Sequence, residues 1–115
     1  MAEQRKHDRK YLIYYLRVFD RNTEELLGNL VDITTEGLML ISENPIELAK
    51  TFELKMDLPE EIQGSRQIFF DAQSKWCKKA VNPDFYDTGF QLSDISTNDI
   101  AIIESLIQDF YFQSV

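Results

Sequence analysis

The sequence is poor in the residues that staple or punctuate a chain. One cysteine, Cys77, among 115 residues leaves no internal disulfide available, and one histidine, His7, leaves no histidine cluster for a metal. No C-x-x-C, H-x-x-E or EF-hand spacing is present. Four glycines and three prolines are too few for a low-complexity chain. Basic residues are in deficit, 12 against 20 acidic ones, and the net charge of −8 repels nucleic acid polymers and anionic membranes over most of the surface. No apolar run approaches 18 residues, so membrane insertion is not expected, and the first residues lack the apolar stretch of a signal peptide. A reducing cytoplasm is the expected setting.

What is there suits one globular module. A length of 115 residues is one domain's worth, so a two-domain enzyme is not expected, and 43% hydrophobic with 28% charged residues is near the globular average. The average charge hides an asymmetry. Residues 1–21 carry six basic residues, Arg5, Lys6, Arg9, Lys10, Arg17 and Arg21, against three acidic ones, and the rest is strongly acidic.

Periodicity organises the chain into strands and then a helix. Lys10 to Phe19 is rich in Tyr, Ile, Leu, Val and Phe, a polar stretch from Asp20 to Glu24 reads as a turn, and Leu26 to Ile33 returns as a second strand of a hairpin. Gly37 opens a third apolar run, Leu38 to Ile41. Phe52, Leu54, Met56 and Leu58 alternate with Glu53, Lys55 and Asp57, a half-buried strand. Ile68 to Cys77 and Tyr86 to Leu92, the latter interrupted at Gly89, complete six strands. Ser96 with Asp99 resembles a capping box, and Ile100, Ile103, Leu106 or Ile107, and Phe110 recur at helical spacing. The expected fold is mainly β: a six-stranded antiparallel barrel over residues 10–115 with a C-terminal helix at about 98–112, preceded by a basic arm over residues 1–9.

Two short motifs carry the chemistry. Arg5 to Arg9 is R-x-x-x-R, immediately before the first strand, and Asp32 to Gly37 is D-x-T-x-x-G, immediately after the second. Neither is specific alone, because Arg17 and Arg21 also satisfy the first pattern. A hairpin turn centred near Arg21 or Asn22 sets Arg9 beside Thr34 or Thr35, with Asp32 close by, and sends Arg17 and Arg21 to the opposite end as surface residues without such companions. Arginine binds guanine O6 and N7 as a fork, pairs with phosphate and stacks on purines. Aspartate accepts from guanine N1 and N2, Thr34 donates to a phosphate or base acceptor, and Gly37 lets a ligand approach the backbone or supplies a positive φ. Together these groups suit a guanine nucleotide bearing phosphates.

With these residues in hand, the chain resembles the PilZ domain family, whose members bind the bacterial second messenger cyclic di-GMP. Arg5 and Arg9 match the family's R-x-x-x-R, and Asp32, Thr34 and Gly37 match its [D/N]-x-S-x-x-G, with Thr34 in place of the usual serine. Tyr86 to Leu92 resembles the family's last strand. The resemblance implies a six-stranded barrel with a C-terminal helix, cyclic di-GMP as ligand at Arg5, Arg9, Asp32, Thr34 and Gly37, no cofactor and no catalysis. It implies a cytoplasmic receptor that passes its signal to a protein partner controlling motility, surface attachment or exopolysaccharide production.

Other readings remain beside it. Arg5 and Arg9 also suit a solvated terminus, and Asp32, Thr34 and Gly37 an ordinary turn, with Gly37 structural first. A barrel of this family without nucleotide binding would serve as a protein interaction module, for instance in pilus assembly. Cys77 beside Trp76 reads as a packing or surface strand cysteine rather than a nucleophile. The aromatics Tyr11, Tyr14, Tyr15, Phe19, Phe69, Phe70 and Trp76 read as barrel core in preference to a stacking platform.

Overall fold

Phe52, Leu54 and Met56 alternate with polar residues, and alternation in a strand sends every second side chain to one face. In the computed structural model, which describes residues 16–58 and 67–107, these three are 6%, 0% and 0% exposed and lie inside a barrel. The strands are β1 (Arg17–Asp20), β2 (Leu26–Ile33), β3 (Gly37–Ser42), β4 (Thr51–Asp57), β5 (Gln67–Lys79) and β6 (Tyr86–Asp94), followed by helix α1 (Thr97–Leu106). Every pairing is antiparallel, and the sheet closes in the order β1-β2-β3-β6-β5-β4. Closure removes the open edges on which small sheets aggregate.

The barrel interior is filled by Val18, Leu30, Leu40, Leu54, Met56, Ile68 and Phe70, with Phe52 and Phe90 meeting edge to face at 5.9 Å. Helix α1 starts where expected. Ser96 is extended and its hydroxyl accepts from the Asp99 N–H at 3.1 Å, while Ile103, Leu106 and Ile107 join the same core. The expected continuation of this helix to residue 112 lies outside the described residues, as does the part of the first strand before residue 16 and the arm carrying Arg5, His7 and Arg9.

Several expectations are corrected here. In the β1–β2 hairpin Arg17 faces Asn29 and Val18 faces Gly28, two to three positions later than a turn centred on Arg21 or Asn22 sets. The reason is a wider connection: Asp20 and Glu25 close it, Asp20 accepts from the Asn22 N–H at 2.8 Å, and Glu24 takes a left-handed φ of 62°. The pairing expected for Arg9 lies outside the described residues. β6 is not interrupted at Gly89; it runs unbroken to Asp94. Of the aromatics expected in the core, Phe70 is buried, whereas Phe69 and Trp76 are 46% and 41% exposed and Phe19 is half-buried. Phe69 lies between the buried Ile68 and Phe70, so alternation turns it outward. Tyr11, Tyr14 and Tyr15 are outside the described residues.

Arg17 is a surface residue as expected, and both arginines have partners of another kind than the D-x-T-x-x-G turn. Arg17 pairs with Asp57 at 3.0 Å and lies over Phe19. Arg21 is half-buried, pairs with Asp71 at 3.0 Å and lies over the Phe69 ring at 5.4 Å. A row of Phe19, Lys55 and Phe69 in register across β1, β4 and β5 anchors both arginines.

Candidate functional site

The D-x-T-x-x-G stretch closes β2 onto β3, and its geometry follows from hydrogen bonds a threonine can make. The Thr34 N–H donates to the Gly37 carbonyl at 2.8 Å. The Thr34 hydroxyl oxygen accepts from the N–H groups of Glu36 (3.1 Å) and Gly37 (3.2 Å). The hydroxyl oxygen also lies 3.4 Å from the Gly37 carbonyl oxygen, a long contact for an O–H donating to it. The Glu36 carbonyl accepts from the Leu92 N–H at 2.9 Å and ties the turn to β6.

Gly37 is needed for packing. It pairs with Gln91, and a Cβ there would collide with the Phe90 carbonyl oxygen. The expectation that Gly37 supplies a positive φ is not met, since its φ lies outside the left-handed range. Glycine stands here because β3 and β6 approach too closely for a side chain.

Asp32 owes its position to a β-bulge. Leu30 faces Leu40 and Ile33 faces Leu38, all buried, although strict alternation from Leu30 would send Asp32 inward instead of Ile33. The extra residue, Val31, flips the phase, so Asp32 stands half-buried opposite Met39 on the outer face. Next to the turn, an open depression of about 590 Å³ is lined by Thr35, Glu36, Gln91, Leu92, Ser93, Asp94 and Ile95. Its described lining offers amide, hydroxyl and carboxylate groups. The structure therefore brings Asp32, Thr34 and Gly37 to one end of the β2–β3 pair; Arg5 and Arg9 lie outside the described residues.

The PilZ domain family model matches residues 3–113, nearly the whole chain. The chain belongs to the PilZ domain family. Among solved structures this PilZ domain is similar to the Bacillus subtilis inhibitor of motility MotI/DgrA, 18% identical with a TM-score of 0.64 over 82% of this chain and 45% of that one. It is similar to K. pneumonia MrkH in its apo state, 18% identical with a TM-score of 0.66 over 87% of this chain and 47% of that one. It is also similar to the PilZ domain of Escherichia coli YcgR with c-di-GMP, 12% identical with a TM-score of 0.65, covering 87% of this chain and 83% of that one. The chain spans less than half the length of MotI/DgrA and MrkH. No curated protein matches it.

Among the described residues no three His, Cys, Asp or Glu side chains come together to hold a metal ion. Cys77 is half-buried in β5 and its sulfur accepts from the Thr88 hydroxyl at 3.3 Å, a packing role. No described helix is long and apolar enough to cross a membrane. The sequence reading missed the outward placement of Trp76. Its cause is a second bulge, between Ser74 and Trp76, which periodicity along a single strand does not reveal.

Proposed function

We propose that this PilZ domain is a bacterial receptor for cyclic di-GMP that relays the signal to a protein partner and catalyses no reaction. The observation that carries this reading is the family match over residues 3–113, which takes in Arg5, Arg9, Asp32, Thr34 and Gly37 together. The PilZ domain of YcgR, similar in fold, is a complex with c-di-GMP. The local chemistry agrees. Asp32 stands outside the barrel as an acceptor for guanine N1 and N2 donors, and the Thr34 proton can turn from the Gly37 carbonyl to a ligand oxygen. The described lining of the depression beside the turn carries carboxylates, a ligand with two phosphates needs positive charge, and Arg5 and Arg9 are the residues that supply it.

Binding draws the arginine pair onto the phosphates beside the β2–β3 turn, and the altered surface is what a partner reads. The processes this suits are motility, surface attachment and exopolysaccharide production, in the cytoplasm. Calorimetric titration with cyclic di-GMP, with GTP as control, tests the reading. Selective binding that Arg9→Ala weakens by about 5- to 150-fold and Arg17→Ala spares is the expected result. No binding at high micromolar ligand overturns it and leaves the protein interaction module.

A further inference from the structure

Three rows of outward side chains cross the seam between β1 and β4, and each row sets a group on one side against its complement on the other. In the first, Arg17 on β1 stands beside Asp57 on β4, with Asn29 on β2 beyond the one and Gln67 on β5 beyond the other. In the second, Phe19 stands beside Lys55, with Leu26 beyond the one and Phe69 beyond the other. In the third, Arg21 stands beside Glu53, where the Arg21 N–H donates to the Glu53 carbonyl at 2.8 Å. Alternation turns these side chains outward, since Val18, Leu54, Met56 and Ile68 between them are fully buried.

The pattern is complementary to itself. A two-fold axis lying over the seam and parallel to the strands brings Arg17 of one copy against Asp57 of another, Arg21 against Glu53, Phe19 against Lys55 and Leu26 against Phe69, each contact made twice. Arg17, Arg21 and Lys55 balance Asp57, Glu53 and Asp71, so the face is neutral in a chain of net charge −8, and two copies meet there without local repulsion. Apolar surface is exposed in the middle row, where Leu26 is 52% and Phe69 46% accessible. The cations are already ordered on rings: Arg17 lies 5.5 Å and Lys55 5.3 Å from the Phe19 centroid, and Arg21 5.4 Å from that of Phe69. Arginine and aromatic side chains held in this way carry binding energy at protein interfaces, because they have less rotamer freedom left to lose.

We infer that this face is a docking surface for a second copy of the chain, which joins the first in a two-fold dimer across the β1–β4 seam. The dimer stands apart from cyclic di-GMP binding and does not require it. Four strands and three rows make a patch of roughly 20 by 20 Å with side chains included, or about 400 Å² per copy. That is about half of what a stable specific interface covers on each partner, so the dimer is a weak one that forms and dissociates between about 10 µM and 1 mM.

Sedimentation of the full chain in the analytical ultracentrifuge, over that concentration range and with circular dichroism to check that each variant is folded, tests the dimer. The wild type is expected to pass from monomer toward dimer. Phe69→Ser, which removes a ring from both sides of a two-fold interface, should weaken association by about 5- to 30-fold. Arg17→Asp and Asp57→Arg should each be monomeric alone, since each sets like charges against one another across the axis. Mixed in equal amounts they should dimerise again, because each variant supplies the charge that the other lacks at both contacts. Restoring the Arg17–Asp57 pair within one chain cannot give that result, so the mixture isolates the contact between copies. Should one of these variants fail to fold, Glu53→Arg mixed with Arg21→Glu makes the same test one row away. A wild type that stays monomeric at about 1 mM overturns the dimer. So does dimerisation that Phe69→Ser and Arg17→Asp leave unchanged, and single variants that are monomeric yet do not recover on mixing overturn the two-fold arrangement.

Discussion

Thr34 and Gly37 hold each other in place: the Thr34 N–H donates to the Gly37 carbonyl at 2.8 Å, and the Gly37 N–H donates back to the Thr34 hydroxyl oxygen at 3.2 Å. A serine keeps that oxygen and a valine does not. Thr34→Val should lower unfolding free energy by about 0.5–1.5 kcal/mol while Thr34→Ser stays close to the wild type, as read by urea denaturation. Equal stability of the two variants would show that the turn does not depend on the hydroxyl.

Gly37→Ala should destabilise the fold by about 1–3 kcal/mol, because the new methyl meets the Phe90 carbonyl oxygen, a backbone atom fixed in the β3–β6 ladder. The same denaturation assay measures it. Unchanged stability would mean that β3 and β6 can separate at this point without cost.

Trp76 and Gly89 make a comparable pair on the outer face. Gly89→Ala should push the indole off its seat. Tryptophan emission should shift to longer wavelength as the ring enters water, with stability lost in the range of about 1–3 kcal/mol. An unshifted spectrum would show that the ring accommodates the methyl where it lies.

Arg21 and Asp71 form an ion pair at 3.0 Å with side chains 33% and 29% exposed, braced by the Phe69 ring. At that exposure a double-mutant cycle with Arg21→Ala and Asp71→Ala should give a coupling of only about 0.5–1 kcal/mol, shrinking as salt is added. A coupling that ignores salt would point to packing on Phe69 as the larger effect.

Leu54 stands at the centre of the barrel with no exposed surface. Leu54→Ala should cost about 2–5 kcal/mol and lower the thermal midpoint accordingly, since the closed sheet limits collapse around the void. A loss below 1 kcal/mol would mean that the barrel repacks.

Much of the barrel was legible because its signals are local. The alternation in β4, the turn residues between runs and the switch to helical spacing after Ser96 each depend on a few neighbouring residues, and they describe six strands and a helix correctly. The positions of individual side chains were legible only where alternation continued unbroken. Asp32 and Trp76 each follow a one-residue bulge, and Phe19 and Phe69 sit on outward phases that composition alone had assigned to the core. The hairpin register shifted because Glu24 adopts a left-handed conformation, which no glycine or asparagine at that position announces.

By itself, then, the sequence determined the fold class, the order of the elements and the two motifs that mark the family, since propensity, periodicity and motif spacing act along the chain. Tertiary structure alone decided which residues share a surface. Pairing across β2, β3, β6 and β5 joins Asp32, Met39, Gly89 and Trp76, which are far apart in sequence, and the bulges that turn the two ends outward exist only where one strand must match another.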